Sequence, residues 1–306
     1  MKVRLIVNRG GGSFSEEEAK RLESLFADQG VDADLRLVEP ADLADAFAEA
    51  AKAEGLDSVV AAGGDGTIST AAGALADSGR PLGIVPLGTL NHFARDAGIP
   101  ADAAAAVAAI AGGATRLVDL AEVNGRIFIN NSAVGLYPFM VRAREAQQRR
   151  LGRSKRLAML VASLRALRHF SRRRLTIIAG GDRAPIKTPL LFVGNNLYET
   201  TLLALGRREA VDRGELCLYA PLARSRFHFL TLALRSLVGR LDQVRDFVNL
   251  EGVEAIEVRS SAPTLSVSAD GETVTLETPL HYRIRPRALL LLVPAEEQKS
   301  SVPAPS

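Results

Sequence analysis

Residues 61–67 read AAGGDGT and follow the apolar run DSVV at 57–60. A strand that ends in three glycines, a carboxylate and a hydroxyl places them where open α/β sheets bind ligands, at the carboxyl edge. Glycines let backbone approach a guest closely, and the start of a following helix favours an anion. Phosphate suits such a turn; a plain strand-to-helix connection is the alternative. The dinucleotide fingerprint G-x-G-x-x-G, begun at Gly64, meets Ser69 where its last glycine belongs, and the chain holds no Gly-Lys pair for a P-loop. Asp65 would repel bare phosphate. Its presence suggests a Mg²⁺-nucleotide, with the cation between carboxylate and phosphate, and makes Asp65 the candidate metal ligand. The plainer alternative is an aspartate that caps the following helix.

A second turn of the same kind follows one strand later, in PLGTLNHFARD at 86–96. Two such turns on successive strands would face one crevice. Around them, residues 1–118 alternate strand and helix: VRLIVN, then a Ser-capped helix closing at Gly30, ADLRLV, a helix closing at Gly55, DSVVAAG, a helix from Thr67 to Asp77, PLGIVPLG, and short helices from about Asn91 and Ala101. That pattern predicts a Rossmann-like three-layer α/β domain with a parallel sheet. From Thr115 onward, TRLVDLAEV, NGRIFINNSAVG, RRLTIIAG, IKTPLLFVGNN, ELCLYAPL, GVEAIEVRSS, TLSVSAD, ETVTLET and HYRIRP read as strands of a mostly antiparallel β-sandwich over 119–287. Helical stretches at about 141–170 and 225–240 interrupt it. ALLLLVP, at 288–294, lacks alternation and reads as a buried strand returning to the first domain, and 295–306 as a disordered tail.

The 306 residues suit two domains, and 47% apolar content allows a large core. The single cysteine, Cys217, rules out an internal disulfide framework and fits a reducing compartment. It reads as buried filler rather than a nucleophile. No run reaches the ~20 apolar residues of a membrane span, so a soluble, cytoplasmic protein is expected. The four histidines show no metal-ligand spacing. The net charge of +3 hides a block from Arg142 to Arg174 with twelve Lys/Arg against one acid, Glu145, on an otherwise acidic chain. Its Leu157, Leu160, Val161, Leu164 and Leu167 share a helical face. The block reads either as a domain helix with a solvated basic side or as a patch for the anionic inner face of a membrane. Without a motif or interleaved aromatics, nucleic acid is not an expected partner. A homodimer is left open.

GGDGT at 63–67, PLGTLNHFARD at 86–96 and SADGETVTLETPLHYRIRPRALLLLVP at 268–294 together resemble the diacylglycerol kinase catalytic-domain family, lipid kinases that include sphingosine and ceramide kinases. The resemblance covers nearly the whole chain. It implies an ATP- and Mg²⁺-dependent kinase, active in lipid metabolism and phospholipid biosynthesis, with its site between the two domains and a diacylglycerol-like or sphingoid lipid as acceptor. By that resemblance Gly63, Gly64, Asp65, Gly66 and Thr67 bind nucleotide, Thr89 and Asn91 form the second turn, and Asn8 ends the first strand near the phosphates. Asp270 and Glu272 match the catalytic acids. In an extended strand they would point to one face; Asp-Gly between alternating strands is equally a hairpin signal. Glu272 is read as the base, with Asp270 orienting or sharing that role.

Several positions depart from the family pattern. NRGGGS at 8–13 lacks the usual proline, and Ser69 and Thr70 stand where Asn-Glu is common. In VDRGELCL at 211–218, Arg213 occupies the place of a metal-binding aspartate. A guanidinium cannot ligate Mg²⁺, so no tightly bound structural Mg²⁺ is expected at 210–216. An NAD kinase-like activity and a catalytically weak, lipid-binding regulatory protein remain the competing readings. The former lacks its second signature; Asp65, Asp270 and Glu272 oppose the latter.

Overall fold

The computed structural model describes residues 1–11, 14–135, 171–198, 208, 210–223, 225–229, 231 and 247–295. The amino-terminal part is built from β1 (Lys2–Asn8), α1 (Glu16–Asp28), β2 (Asp32–Val38), α2 (Leu43–Lys52), β3 (Ser58–Gly63), α3 (Asp65–Leu75), β4 (Leu82–Pro86), α4 (His92–Asp96) and α5 (Ala103–Ala111). Strands β2, β1, β3 and β4 lie side by side in that order, all parallel. Burial on both faces explains the near-continuous apolar composition of β3 and β4 and the apolar centre of β1; β2, at the edge, alternates polar and apolar residues and is only partly buried. Val3, Leu5 and Val7 alternate toward Leu22 and Phe26 of α1 and Val107 and Ile110 of α5. Ile6 points the other way, into a second core with Phe47 of α2 and Ile68, Ala72 and Leu75 of α3. The Ser15 hydroxyl accepts from the Glu18 amide at 3.0 Å, and Glu16, Glu17 and Glu18 suit the positive end of α1.

The second half contributes β5 (Thr115–Val123), β6 (Arg126–Phe128), β7 (Asn131–Gly135), β8 (Arg173–Ala179), β9 (Asp182–Thr188), β10 (Leu190–Asn195), β11 (Leu216–Pro221), β12 (Phe247–Val253), β13 (Ala255–Ser260), β14 (Thr264–Ala269), β15 (Glu272–Glu277) and β16 (Leu280–Leu292). One antiparallel sheet runs β12-β11-β10-β7-β14-β15. The other is not separate from the parallel sheet. The order β2-β1-β3-β4 continues through β16, β13, β8 and β9, with β5 and β6 also joined to it. Phe128, Leu175, Val193, Leu218, Val258, Val267 and Tyr282 fill the space between the two sheets. The fold is thus a parallel α/β layer leading into a mostly antiparallel sandwich.

Three sequence expectations shift. HYRIRP and ALLLLVP form one strand, β16, whose Leu291 pairs in parallel with Leu82 while Tyr282 to Arg285 and Leu289 to Leu292 pair antiparallel with β5. Between those two stretches the register slips, and Arg287 takes φ 54°. The run IKTPLLFVGNN divides at Pro189 into β9 and β10, which belong to different sheets, and β12 precedes β13 in the same way. Alternation reports a strand but not its sheet, so these corners are silent in sequence. Helix α3 begins at Asp65, two residues before the expected Thr67. The expected helix at 141–170, the tail from 296 and most of the basic block lie outside the described residues. So does most of the expected 225–240 helix. Of the block, Arg173 and Arg174 are described and exposed at the start of β8. No helix among the described residues is long and apolar enough to cross a membrane.

The slip in β16 is held by Asp119 of β5, which is fully buried. Its carboxylate accepts from the Arg287 amide at 2.8 Å and the Gly214 amide at 2.6 Å. Asp119→Ala would strand both donors, at about 1–3 kcal/mol for each. Urea unfolding should therefore show a midpoint well below that of the parent protein; an unchanged midpoint would show that the bulge holds itself.

Candidate active site

The two glycine turns meet at the carboxyl ends of β3 and β4. The Leu87 amide donates to the Gly63 carbonyl at 2.9 Å, tying them together. A Cβ on Gly88 would lie 2.6 Å from the Gly64 Cα, and one on Gly63 would lie 2.4 Å from the Thr67 Oγ1. Bare backbone is therefore required at both turns. Asn91, at φ 47°, closes the second turn: its Oδ1 accepts from the Gly88 amide at 3.0 Å and its Nδ2 donates to the Gly88 carbonyl at 2.9 Å. Asn8, at the end of β1, donates to the buried Thr67 hydroxyl at 2.9 Å and accepts from the Gly10 amide at 2.8 Å. Thr89 is exposed at the tip of the second turn, beside Leu90. Asn8, Gly63, Gly64, Thr67, Gly88 and Asn91 thus lie together at the carboxyl ends of β1, β3 and β4. Gly64 begins α3 without a side-chain cap, so the helix presents its first amides and positive end there.

Asp65 does not cap its own helix. Its two oxygens each accept one amide of α4, from His92 and from Phe93, both at 3.2 Å. It links the two turns and orients α4. A carboxylate has about four lone-pair sites, so each oxygen keeps capacity for a further partner.

The two carboxylates from DGE separate. Asp270 and Gly271, at φ 47° and 87°, are the central residues of the β14–β15 hairpin, with Ala269 opposite Glu272. The shared strand face expected from an extended DGE is therefore not formed, because the local Asp-Gly turn preference prevails. Glu272 is largely exposed and paired with Arg126 of β6. Asp270 turns inward instead. Its Oδ1 accepts from the amides of Asn130 and Asn131 at 2.8 and 3.2 Å, and its Oδ2 from the Ile129 amide at 2.7 Å and the Ser69 hydroxyl at 2.6 Å. The residue keeps some exposed surface, but its carboxylate is enclosed. Burial raises its pKa above the ordinary aspartate value, against the opposing pull of Ser69 and the three amides.

Arg208 completes the frame, and sequence reading missed it. Its guanidinium is fully buried, paired with Asp96 at the end of α4 at 3.1 Å. It also donates to the Ile129 and Asn195 carbonyls at 2.7 and 3.2 Å and to the Asn130 Oδ1 at 3.0 Å. The rings of Phe93 and Tyr198 lie 5.6 and 5.7 Å from its Cζ. Arg208 thus binds the second turn's helix to the connection between β6 and β7 that cradles Asp270. Ser69 was noticed only as a departure from a pattern, and its contact with Asp270 spans the two halves of the chain. Cys217 is buried in β11, where loss of solvent pushes its thiol up to about 12, fitting an inert packing role.

Residues 2–123 match the diacylglycerol kinase catalytic domain. A Pseudomonas aeruginosa PAO1 protein named "Probable lipid kinase YegS-like" is 32% identical over 96% of this chain and 95% of its own. A Pseudomonas fluorescens protein of the same name is 30% identical over 95% of both chains. The fold is similar to that of a candidate diacylglycerol kinase from Bacillus anthracis str. Sterne, with TM-score 0.75, 23% identity and coverage of 95% of this chain and 97% of that one.

Removing one member of a buried ion pair costs about 3–5 kcal/mol when the other is left uncompensated; Asp96 keeps Arg95, 3.1 Å from its Oδ1, so the low end of that range is expected for Arg208. Arg208→Ala should lower stability by that order in chemical unfolding. Arg208→Lys should recover only part of it, because a point charge cannot serve four acceptors in one plane. Full recovery with lysine would reduce the role of Arg208 to charge alone.

Proposed function

The chain belongs to the diacylglycerol kinase catalytic-domain family, and from this we propose that it is an ATP-dependent lipid kinase that phosphorylates a hydroxyl of a diacylglycerol-like or sphingoid lipid. The observation that carries the reading is the joining of two glycine turns to an enclosed carboxylate through one helix, α3. Gly63, Gly64 and Gly88 keep the two turns packed as bare backbone, and Gly66 opens onto free space; the uncapped start of α3 beside them favours the anionic oxygens of a polyphosphate. Gly63, Gly64, Gly66, Thr67, Thr89, Asn91 and Asn8 would hold the nucleotide. Asp65, with spare lone pairs beside the turn, would hold Mg²⁺. When bound, ATP supplies the phosphoryl group and Mg²⁺ spreads its charge.

The chain's own part is to orient an alcohol and take its proton. Of the two DGE carboxylates, Asp270 suits this better than Glu272. Asp270 lies against α3, one turn from Asp65, whereas Glu272 is solvated and neutralised by Arg126. A cytoplasmic enzyme meeting lipid at an anionic bilayer also gives the 142–174 segment a purpose, and the exposed Arg173 and Arg174 at its end fit that use.

With labelled ATP and a panel of diacylglycerol and sphingoid lipids in mixed micelles, Asp270→Asn should cut kcat by ~10²–10⁴-fold, the usual worth of a general base. Glu272→Gln should stay within about tenfold of the parent, and the reverse ranking would return the base role to Glu272. Only ionised Asp270 accepts a proton, and its pKa is raised. Parent activity should therefore fall on acidification at a pH above the ordinary aspartate range. No lipid phosphorylated under any condition would remove the kinase reading.

Vesicle sedimentation tests the membrane part. Binding should rise with phosphatidylserine content and fall as salt rises. Replacing Arg172, Arg173 and Arg174 by Gln should weaken binding without changing ATP affinity. Equal binding to neutral and anionic vesicles would leave the segment a structural role only.

A further inference from the structure

The carboxylate of Asp270 is full. Four donors, the amides of residues 129–131 and the Ser69 hydroxyl, lie within 3.2 Å of its two oxygens. That matches the roughly four lone-pair sites of the group. An incoming alcohol has no open lone pair to reach. The three amides are fixed by the backbone of the loop leading into β7 and cannot withdraw singly. The hydroxyl is different. It is the one donor that carries its own lone pairs, and it can accept one proton while it donates another. Ser69 also has the right address. It lies four residues after Asp65 on α3, so the two side chains share a helix face about 5–6 Å apart at Cβ. Ser69 is partly exposed. Its partner oxygen at 2.6 Å makes the shortest of the four contacts.

We propose that Ser69 is the group that touches the acceptor alcohol, and that Asp270 takes the proton through it rather than directly. The inference rests on the lipid-kinase reading and specifies how its proton leaves. The lipid oxygen bonds to the γ-phosphorus of ATP as the bond from that phosphorus to the β-phosphate bridging oxygen breaks, its electron pair leaving with ADP. The lipid hydroxyl proton passes to the Ser69 oxygen, and the Ser69 proton passes to Oδ2 of Asp270. Serine returns to its starting state, and Asp270 later releases the proton to solvent. Ser69 is then a catalytic residue and Asp270 acts through it. Among the described residues, the charged and titratable groups nearest the pair are Asp65 on α3, Glu272 with Arg126 on β15 and β6, Tyr198 beyond the amide segment, and Arg208.

Ser69→Ala and Ser69→Thr separate a relay from a prop. Alanine removes the hydroxyl from a partly exposed helical position and leaves Asp270 its three amides, so folding should survive; thermal melts of both variants check this. If Ser69 relays the proton, Ser69→Ala should lower kcat at the pH plateau by ~10²-fold or more. Ser69→Thr should restore it to within about tenfold, and Mg²⁺-ATP affinity by calorimetry should be unchanged in both. A readout without turnover accompanies this. Carboxyl ¹³C NMR of aspartate-labelled protein should show the titration of Asp270 moving to higher pH in Ser69→Ala, because a donor to its charged form is gone. If Ser69→Ala moves that titration but reaches the parent rate at the plateau, the serine only positions Asp270 and the relay is wrong. An unmoved titration would mean the pair is uncoupled and would equally overturn it. Failure of the parent protein to phosphorylate any lipid removes the kinase reading itself, whereas an active parent with a fully active alanine variant removes the relay alone.

Discussion

Asp270 gathers three consecutive amides and a hydroxyl around one carboxylate, and the two halves of the molecule are aligned through that cluster. Ile129, Asn130 and Asn131 belong to the start of the β-sandwich, Ser69 to the helix that begins at the GGDGT turn. Each amide is satisfied only if the hairpin tip sits where it does. The hairpin requires Asp270 in a left-handed conformation that costs a non-glycine residue about 1–2 kcal/mol. That strain aims the side chain backward into the cluster instead of out to solvent. Misplacing α3 by a fraction of an ångström would loosen the Ser69 contact while leaving the three amides intact.

Around this point the structure is over-determined. Asp65 holds the start of α4 and Arg208 holds its end through Asp96. The same arginine reaches the Ile129 carbonyl and the Asn130 side chain, in the segment that cradles Asp270. The glycine turns, α4 and the sandwich thus share one polar frame, most of it out of water, where each unmet partner is expensive. The proposed site is built from backbone and short side chains, as the positioning of a phosphoryl group and an alcohol would require.

How much of this was legible depends on sequence distance. Gly63, Gly64, Gly88 and Asn91 declare themselves because a turn is a local event and glycine's freedom is needed within it. The alternation of strand and helix to about residue 118 carried the parallel layer in the same way, and alternating apolar positions carried the sandwich. What stayed hidden was long-range. Asp96 meets Arg208 across 112 residues, and Asp270 meets Ser69 across 201. No periodicity marks such pairs. At Asp96 the sequence offers a local partner, the adjacent Arg95, which does bond it, so nothing nearby asks for Arg208. The placement of Asp270 and Glu272 failed differently. Both the strand and the hairpin readings were local, and the Asp-Gly pair decided for the hairpin.

β16 has a bearing on how the molecule is made. It is the last strand among the described residues, yet it seals the edge of β4 and supplies the long partner of β5. A ribosome extrudes the glycine turns and their parallel strands early. Until residues near 292 emerge, however, β4 has an open apolar edge and the parallel layer is unfinished. Folding therefore cannot proceed tidily from one domain to the next along the nascent chain. It must wait for a closing contact of high sequence separation, a topology that slows folding and prolongs exposure of a strand edge. Chains terminated early would carry that edge permanently, as ready templates for pairing with one another.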